Sequence, residues 1–209
     1  MTQFGRPIHD EVERIVFFSD AVFAIALTLL AVNLRLPASD QPVATLLRHM
    51  RPELFSFFVS FAVIGVTWMA HHRMFTYIER NDGALMTTNL VLLLTVTFMP
   101  FPTSVLGERP NDVGSIVFYA TSISCLTLAS GCVWIVATAR GLLSGVVDRP
   151  LSIYFLSRIF AITAVFLISI PVALFVSADA ATYFWFAAIV VRVGLRIAYD
   201  ARIGTPTPT

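Results

Sequence analysis

The chain has 209 residues, of which 57% are hydrophobic and 13% charged, and its mean hydropathy is +0.80. A soluble domain of this length carries about 25% charged residues, so the composition excludes one and predicts an integral membrane protein lying almost wholly in the bilayer. The net charge of only +1 offers no basic face to a nucleic acid.

Six apolar segments follow in chain order, at about 15–34, 54–76, 84–106, 113–139, 152–177 and 181–199. Each is near the roughly 20 residues a helix needs to cross the hydrocarbon core. The predicted fold class is therefore all-α, with six transmembrane helices in a single domain over residues 1–200.

The first segment reads Arg14-Ile15-Val16-Phe17-Phe18-Ser19-Asp20-Ala21-Val22-Phe23-Ala24-Ile25-Ala26-Leu27-Thr28-Leu29-Leu30. It places an arginine, a serine and an aspartate in the first half of a spanning helix. A charge in a bilayer is costly and normally faces protein or a water-filled path. At about 100° per residue, Phe18, Val22, Ile25, Leu29 and Val32 share one face, with Thr28 at its flank. Asp20 points nearly the opposite way. The aspartate and the apolar stripe cannot line the same narrow path. Either Asp20 faces a pore, or it faces neighbouring helices and leaves the stripe free. Arg6 and Arg14 resemble the basic start of a signal peptide, but the long apolar run with Asp20 inside it favours a spanning helix.

The second segment carries Trp68-Met69-Ala70-His71-His72-Arg73. Trp68 and His71, at i and i+3, share a face, and both rings have N–H donors suited to a carboxylate. Asn89, early in the third segment, adds an amide. A network of Arg14, Ser19, Asp20, Trp68, His71 and Asn89 would satisfy groups otherwise costly in lipid. Removing Asp20 from such a buried charge network is expected to cost about 3–5 kcal/mol. His72 fits a plain interfacial position, and His71 fits either an interfacial or a network position.

Pro100 and Pro102 in the third segment predict a kink or break, whereas Pro171 in the fifth reads as a packing irregularity. Cys125 and Cys132 in the fourth segment lie two turns apart, too far for a mutual disulfide, and read as small buried apolar side chains. Gly141 and Gly145, four apart at a helix end, read as a turn. The tail 201–209, ending Gly204-Thr205-Pro206-Thr207-Pro208-Thr209, is expected to be disordered.

With six spans both termini share one side. That side holds Arg6, Arg14, Arg73, Arg80, Arg140, Arg149, Arg158, Arg192, Arg196 and Arg202, while the other holds Arg35, Arg48, Arg51 and Arg109. The positive-inside rule makes the termini cytoplasmic in a multi-pass protein of the cell membrane. Adjacent histidines point about 100° apart and cannot share one ion on a regular helix. The chain has no zinc-protease motif, nucleophile elbow or phosphate loop, so neither an enzyme nor a metal or cofactor site is expected. It also lacks the Thr-Val-Gly-Tyr-Gly carbonyl filter.

Arg14…Phe18-Ser19-Asp20 and the run after it, Trp68…His71-His72-Arg73-Met74-Phe75, and Asn89…Pro100-Phe101-Pro102-Thr103 together resemble the transmembrane protein 175 family. The resemblance is specific over the first three segments; the last three agree mainly in number and length. It implies a potassium-permeable channel without a P-loop, its pore lined by the first helix of each subunit, with permeant potassium as the only ion. Ile25, Leu29 and Val32 correspond to the apolar constriction. Thr28 corresponds to a position proposed to contribute to selectivity. Arg14, Ser19, Asp20, Trp68, His71 and Asn89 correspond to a buried network behind the pore helix. A single six-helix repeat implies a homotetramer in the lipid bilayer. The competing reading is a proton-coupled or small-solute secondary transporter using Asp20 and His71 as a relay.

Overall fold

In lipid every backbone N–H and C=O needs an internal partner, which leaves helices as the solution for apolar segments of this length. The computed structural model describes residues 8–35 and 40–203, which form helices joined by short turns, with one isolated bridge between Ile78 and Leu143. The helices are α1 (Ile8–Val32), α2 (Val43–His49), α3 (Arg51–Phe75), α4 (Gly83–Phe98), α5 (Pro100–Glu108), α6 (Val113–Ala139), α7 (Arg149–Phe175), α8 (Ala178–Phe184) and α9 (Ala187–Ile203). Among the described residues six stretches are long and apolar enough to cross a membrane: α1, α3, α4 with α5, α6, α7, and α8 running into α9.

The polar linkers start the helices. Asp82 accepts from the Leu85 amide at 2.8 Å, Asp112 from Ser115 at 3.0 Å, Asp148 from Leu151 at 2.9 Å and Ser177 from Ala180 at 3.1 Å. Each cap satisfies one of the amides that a helix start leaves without a partner.

Three features depart from a plain six-segment reading. The connection after the first segment contains a seven-residue helix, α2. The third segment divides at Met99, where Pro100 and Pro102 remove two amide donors and the Met99 amide turns to the Val96 carbonyl at 3.2 Å. The sixth divides at Trp185 and Phe186 without proline or glycine. There the bonds tighten to i→i−3, and the Trp185 indole donates to Ser169 Oγ on α7 at 2.9 Å. Pro171, in contrast, stays inside an unbroken α7. Cys125 and Cys132 are free thiols on the exposed side of α6, which corrects the expectation of burial. Residues 1–7 with Arg6, residues 36–39, and residues 204–209 of the expected tail lie outside the described residues, while α9 continues to Ile203.

α6 forms the spine, packing on α4, α5 and α7; α3 packs on α1 and α5, and α1 on α3 and α4. Gly107 lets α5 lie close on α3. A Cβ there would meet Ser56 Oγ at 2.9 Å and the Glu53 Cα at 3.0 Å. The second neighbour is backbone and cannot swing aside. Gly107→Ala should lower stability by about 1–3 kcal/mol, the usual penalty of overpacking. Unchanged thermal unfolding in detergent would mean that α3 and α5 are not held this tightly.

Two loops are clasped at the end of the bundle where α1 begins. Glu79 N donates to the Leu142 carbonyl at 3.0 Å and Ser144 N to the Tyr77 carbonyl at 2.8 Å. Arg80 Nη2 donates to the Gly141 carbonyl, and Arg140 Nε pairs with Asp82 Oδ2 at 2.9 Å. Gly141 has φ +64°, a left-handed conformation natural to glycine, and makes the turn after α6. The Leu85 amide, then Arg140, hold the Asp82 carboxyl below its ordinary value. A depressed folded-state value means the stabilisation is complete above the ordinary carboxylate range and is lost as pH falls through the lowered value. Asp82→Asn keeps a competent cap but removes the charge. The melting-temperature advantage of wild type over Asp82→Asn should shrink as pH is taken from 7 to 3. An advantage that stays constant over that range would exclude the Asp82 charge as its source.

Candidate functional site

α1 has two unlike faces. Ser19, Phe23, Ala26 and Leu30 are buried against the subunit, with Phe23 and Leu30 each 1% exposed. Ile25, Leu29 and Val32 are 57%, 42% and 59% exposed. Phe18 and Thr28 are exposed with them, while Val22 lies half-buried at the edge. Thr28 Oγ1 donates to the Ile25 carbonyl at 2.8 Å, leaving its oxygen lone pairs outward. The exposed arc continues through Phe17 and Ala24.

Behind this helix two separate hydrogen-bond strings hold it to the subunit. Trp68 Nε1 on α3 donates to Asp20 Oδ1 at 2.8 Å, in a half-buried position. His71 Nε2, also on α3, bonds Asn89 Oδ1 on α4 at 2.9 Å; Asn89 Nδ2 donates to Ser19 Oγ at 3.0 Å; and Ser19 Oγ donates to the Ile15 carbonyl at 2.8 Å. The second string is fully buried. Its donors and acceptors run in one consistent direction when His71 Nε2 carries the proton. His71 lies between two phenyl rings, 5.5 Å from the Phe23 centroid and 4.4 Å from that of Phe75. Its Nδ1 has no hydrogen-bond partner.

Five of the six polar residues singled out in the sequence are thus brought to one side of α1, in two strings. The sixth, Arg14, is exposed, and no ion pair among the described residues joins it to Asp20. His72 is exposed, with its ring 5.9 Å from the Trp68 ring. At the far end of α1, Asn33 Nδ2 donates to the Pro100 carbonyl at 3.3 Å. This ties the end of α1 to the start of α5, next to its break from α4.

A second polar cluster escaped the sequence reading. Thr103 Oγ1 lies 2.7 Å from both Ser60 Oγ and the Met99 carbonyl, and Ser60 Oγ lies 2.7 Å from Tyr119 Oη. All three side chains are buried, and they tie α3, α5 and α6 together directly below the break. The Pro-Phe-Pro-Thr run hinted at Thr103, but nothing in the sequence linked it to Ser60 or Tyr119. Among the described residues no three His, Cys, Asp or Glu side chains converge as a metal site.

Residues 14–100 match the family described as endosomal/lysosomal potassium channel TMEM175. The chain is 38% identical over 149 residues to a protein of Streptomyces collinus named a potassium channel, covering 68% of this chain and 72% of that one. It superposes with a TM-score of 0.73 on the crystal structure of a lysosomal potassium-selective channel TMEM175 homolog from Chamaesiphon minutus, at 28% identity over 91% of this chain and 99% of that one. It is 24% identical over 118 residues to the endosomal/lysosomal proton channel TMEM175 of Danio rerio, covering 55% of this chain and 23% of that one.

Proposed function

The chain belongs to the TMEM175 family, and we propose that it forms a potassium-permeable channel in which four copies of α1 surround the ion path. The observation that carries this reading is the division of α1. One face is fixed to α3 and α4 by buried polar strings, and the other turns Ile25, Leu29 and Val32 out of the subunit. A solitary chain has no use for such a face beyond lipid contact. A ring of equivalent helices gives it a lumen, and closed cyclic symmetry supplies the ring.

Rings of Ile25, Leu29 and Val32 form a constriction that closes by dewetting, without a P-loop. Thr28 stands next to that stripe and presents its hydroxyl oxygen once the helix rotates or the ring widens, which gives partly hydrated potassium a polar contact. Arg14 lies at the entrance on the side of the termini, which the arginine distribution makes cytoplasmic in a cell membrane. Asp20, Trp68, His71, Asn89 and Ser19 support the pore helix from behind and do not line the path.

Potassium efflux from liposomes containing the purified protein tests the reading. Wild-type protein should release potassium faster than empty liposomes and show unitary currents in planar bilayers. Saturable flux without unitary currents would favour the transporter that uses Asp20 and His71. Their separate partners, Trp68 for one and Asn89 for the other, favour a structural role for both.

A further inference from the structure

α3 packs on α1, α5 and α6, while α7 packs on α6, α8 and α9, and the space between α3 and α7 is left open. This cleft has a volume of about 810 Å³, within the class of about 300–1,000 Å³ that holds small molecules. Val59, Val63 and Val66 of α3 and Ile162 of α7 line its body. At one end Phe55 and Phe186 meet at 6.4 Å. At the other end stand Arg73 and Arg158.

The two ends differ in chemistry in a way that selects an occupant. Arg158 Nη1 bonds the Tyr154 hydroxyl at 3.3 Å and its guanidinium lies 5.3 Å from that ring centroid. Tyr154 is in turn stacked on Tyr199 at 3.9 Å. Among the described residues neither arginine has a carboxylate partner and no Asp or Glu lines the cleft. From Phe55 to Arg73 the helix rises about 27 Å, against a hydrocarbon core of about 30 Å. The apolar body therefore spans most of the membrane, and the charged pair sits at the face shared with the termini.

We propose that this cleft binds an anionic membrane phospholipid, its acyl chain between α3, α7 and α9 and its phosphate held by Arg73 and Arg158. Arginine suits a phosphate because its planar fork donates two parallel hydrogen bonds. Charge complementarity selects an anionic headgroup over a zwitterionic one, since the described lining offers two arginines to a phosphate and no carboxylate to a choline or ethanolamine. The site also bears on α1. Thr67 faces the cleft, while Trp68 and His71, farther round α3, hold Asp20 and Asn89. A lipid seated there braces the helix that positions the pore helix. The proposal rests on the membrane-spanning fold and not on conduction, so it stands or falls separately from the channel reading.

Native mass spectrometry and thermal unfolding of delipidated full-length protein test it, with dioleoyl phosphatidylglycerol, dioleoyl phosphatidylcholine and soluble glycerol phosphate as probes. Wild type should bind phosphatidylglycerol about tenfold more tightly than phosphatidylcholine, consistent with two arginines at the interface. It should gain thermal stability from that lipid and nothing from glycerol phosphate. Arg73→Gln with Arg158→Gln should remove the preference. Ala62→Trp, which fills the apolar body, should weaken both lipids and leave their ratio unchanged. Equal binding of the two lipids by wild type would overturn the proposal, as would a preference that survives the double arginine variant. Loss of oligomer in the cleft variants with lipid preference intact would also overturn it, and would mean that a second copy of the chain covers the cleft.

Discussion

Ile25→Asn should raise potassium efflux from reconstituted liposomes by about tenfold or more, with Ile25→Ala giving a smaller rise in the same direction. A tenfold change in rate corresponds to about 1.4 kcal/mol of barrier. In the proposed ring of four, each substituted side chain needs to remove only about 0.35 kcal/mol. Replacing a branched alkyl group by an amide inside a dewetted constriction easily exceeds that, because the amide holds water where isoleucine excludes it. Ile25 is 57% exposed in the subunit, so the change should leave subunit folding nearly intact. Leu94→Asn makes a matching control, since Leu94 is 67% exposed on α4 and not on α1. That variant should conduct as wild type. If Ile25→Asn and Ile25→Ala both conduct as wild type, Ile25 is not at the constriction.

What made this site legible was the cost of polarity in lipid. A serine and an aspartate within an apolar helix demand partners, and the i, i+3 spacing of Trp68 and His71 puts two ring donors on adjacent parts of one face. The helix wheel then left Ile25, Leu29 and Val32 facing away. The same logic drew in Arg14, yet Arg14 sits in the exposed early part of the helix and has no ion pair among the described residues. The Ser60–Thr103–Tyr119 cluster was not legible for the opposite reason. Hydroxyls in apolar helices bond their own backbone at i−3 or i−4, as Thr67, Ser124 and Thr138 do here. Their type does not announce a partner on another helix. The break at Met99 was readable from two prolines, whereas the break at Trp185 depends on a tertiary bond to Ser169 that no local pattern encodes.

Asn89→Leu should cost more stability than any single change to the Asp20–Trp68 pair. Leucine conserves approximate volume, so the loss is mainly polar. Asn89 accepts from His71 and donates to Ser19, and these three side chains are at most 2% exposed. Without the amide, Ser19 keeps its bond to the Ile15 carbonyl, but His71 loses its remaining polar partner, since its Nδ1 already has none. An orphaned buried donor costs about 1–3 kcal/mol, while interhelical hydrogen bonds in membranes average about 0.6 and reach about 1.7 kcal/mol. Two such bonds between fully buried side chains put the loss at about 2 kcal/mol. Asp20 is different. The loss of about 3–5 kcal/mol expected for a buried charge network presumes full burial, and Asp20 is half-buried with Trp68 itself 37% exposed. Trp68→Phe should therefore cost under about 1 kcal/mol. Thermal unfolding of the detergent-solubilised variants gives the order directly. If Trp68→Phe melts far below Asn89→Leu, the Asp20 string is the main fastening of α1, and its half-exposed position would have to be closed by a neighbouring copy. If Asn89→Leu is the weaker protein, the fastening runs through α4, and any opening motion of α1 must move against the His71–Asn89–Ser19 string.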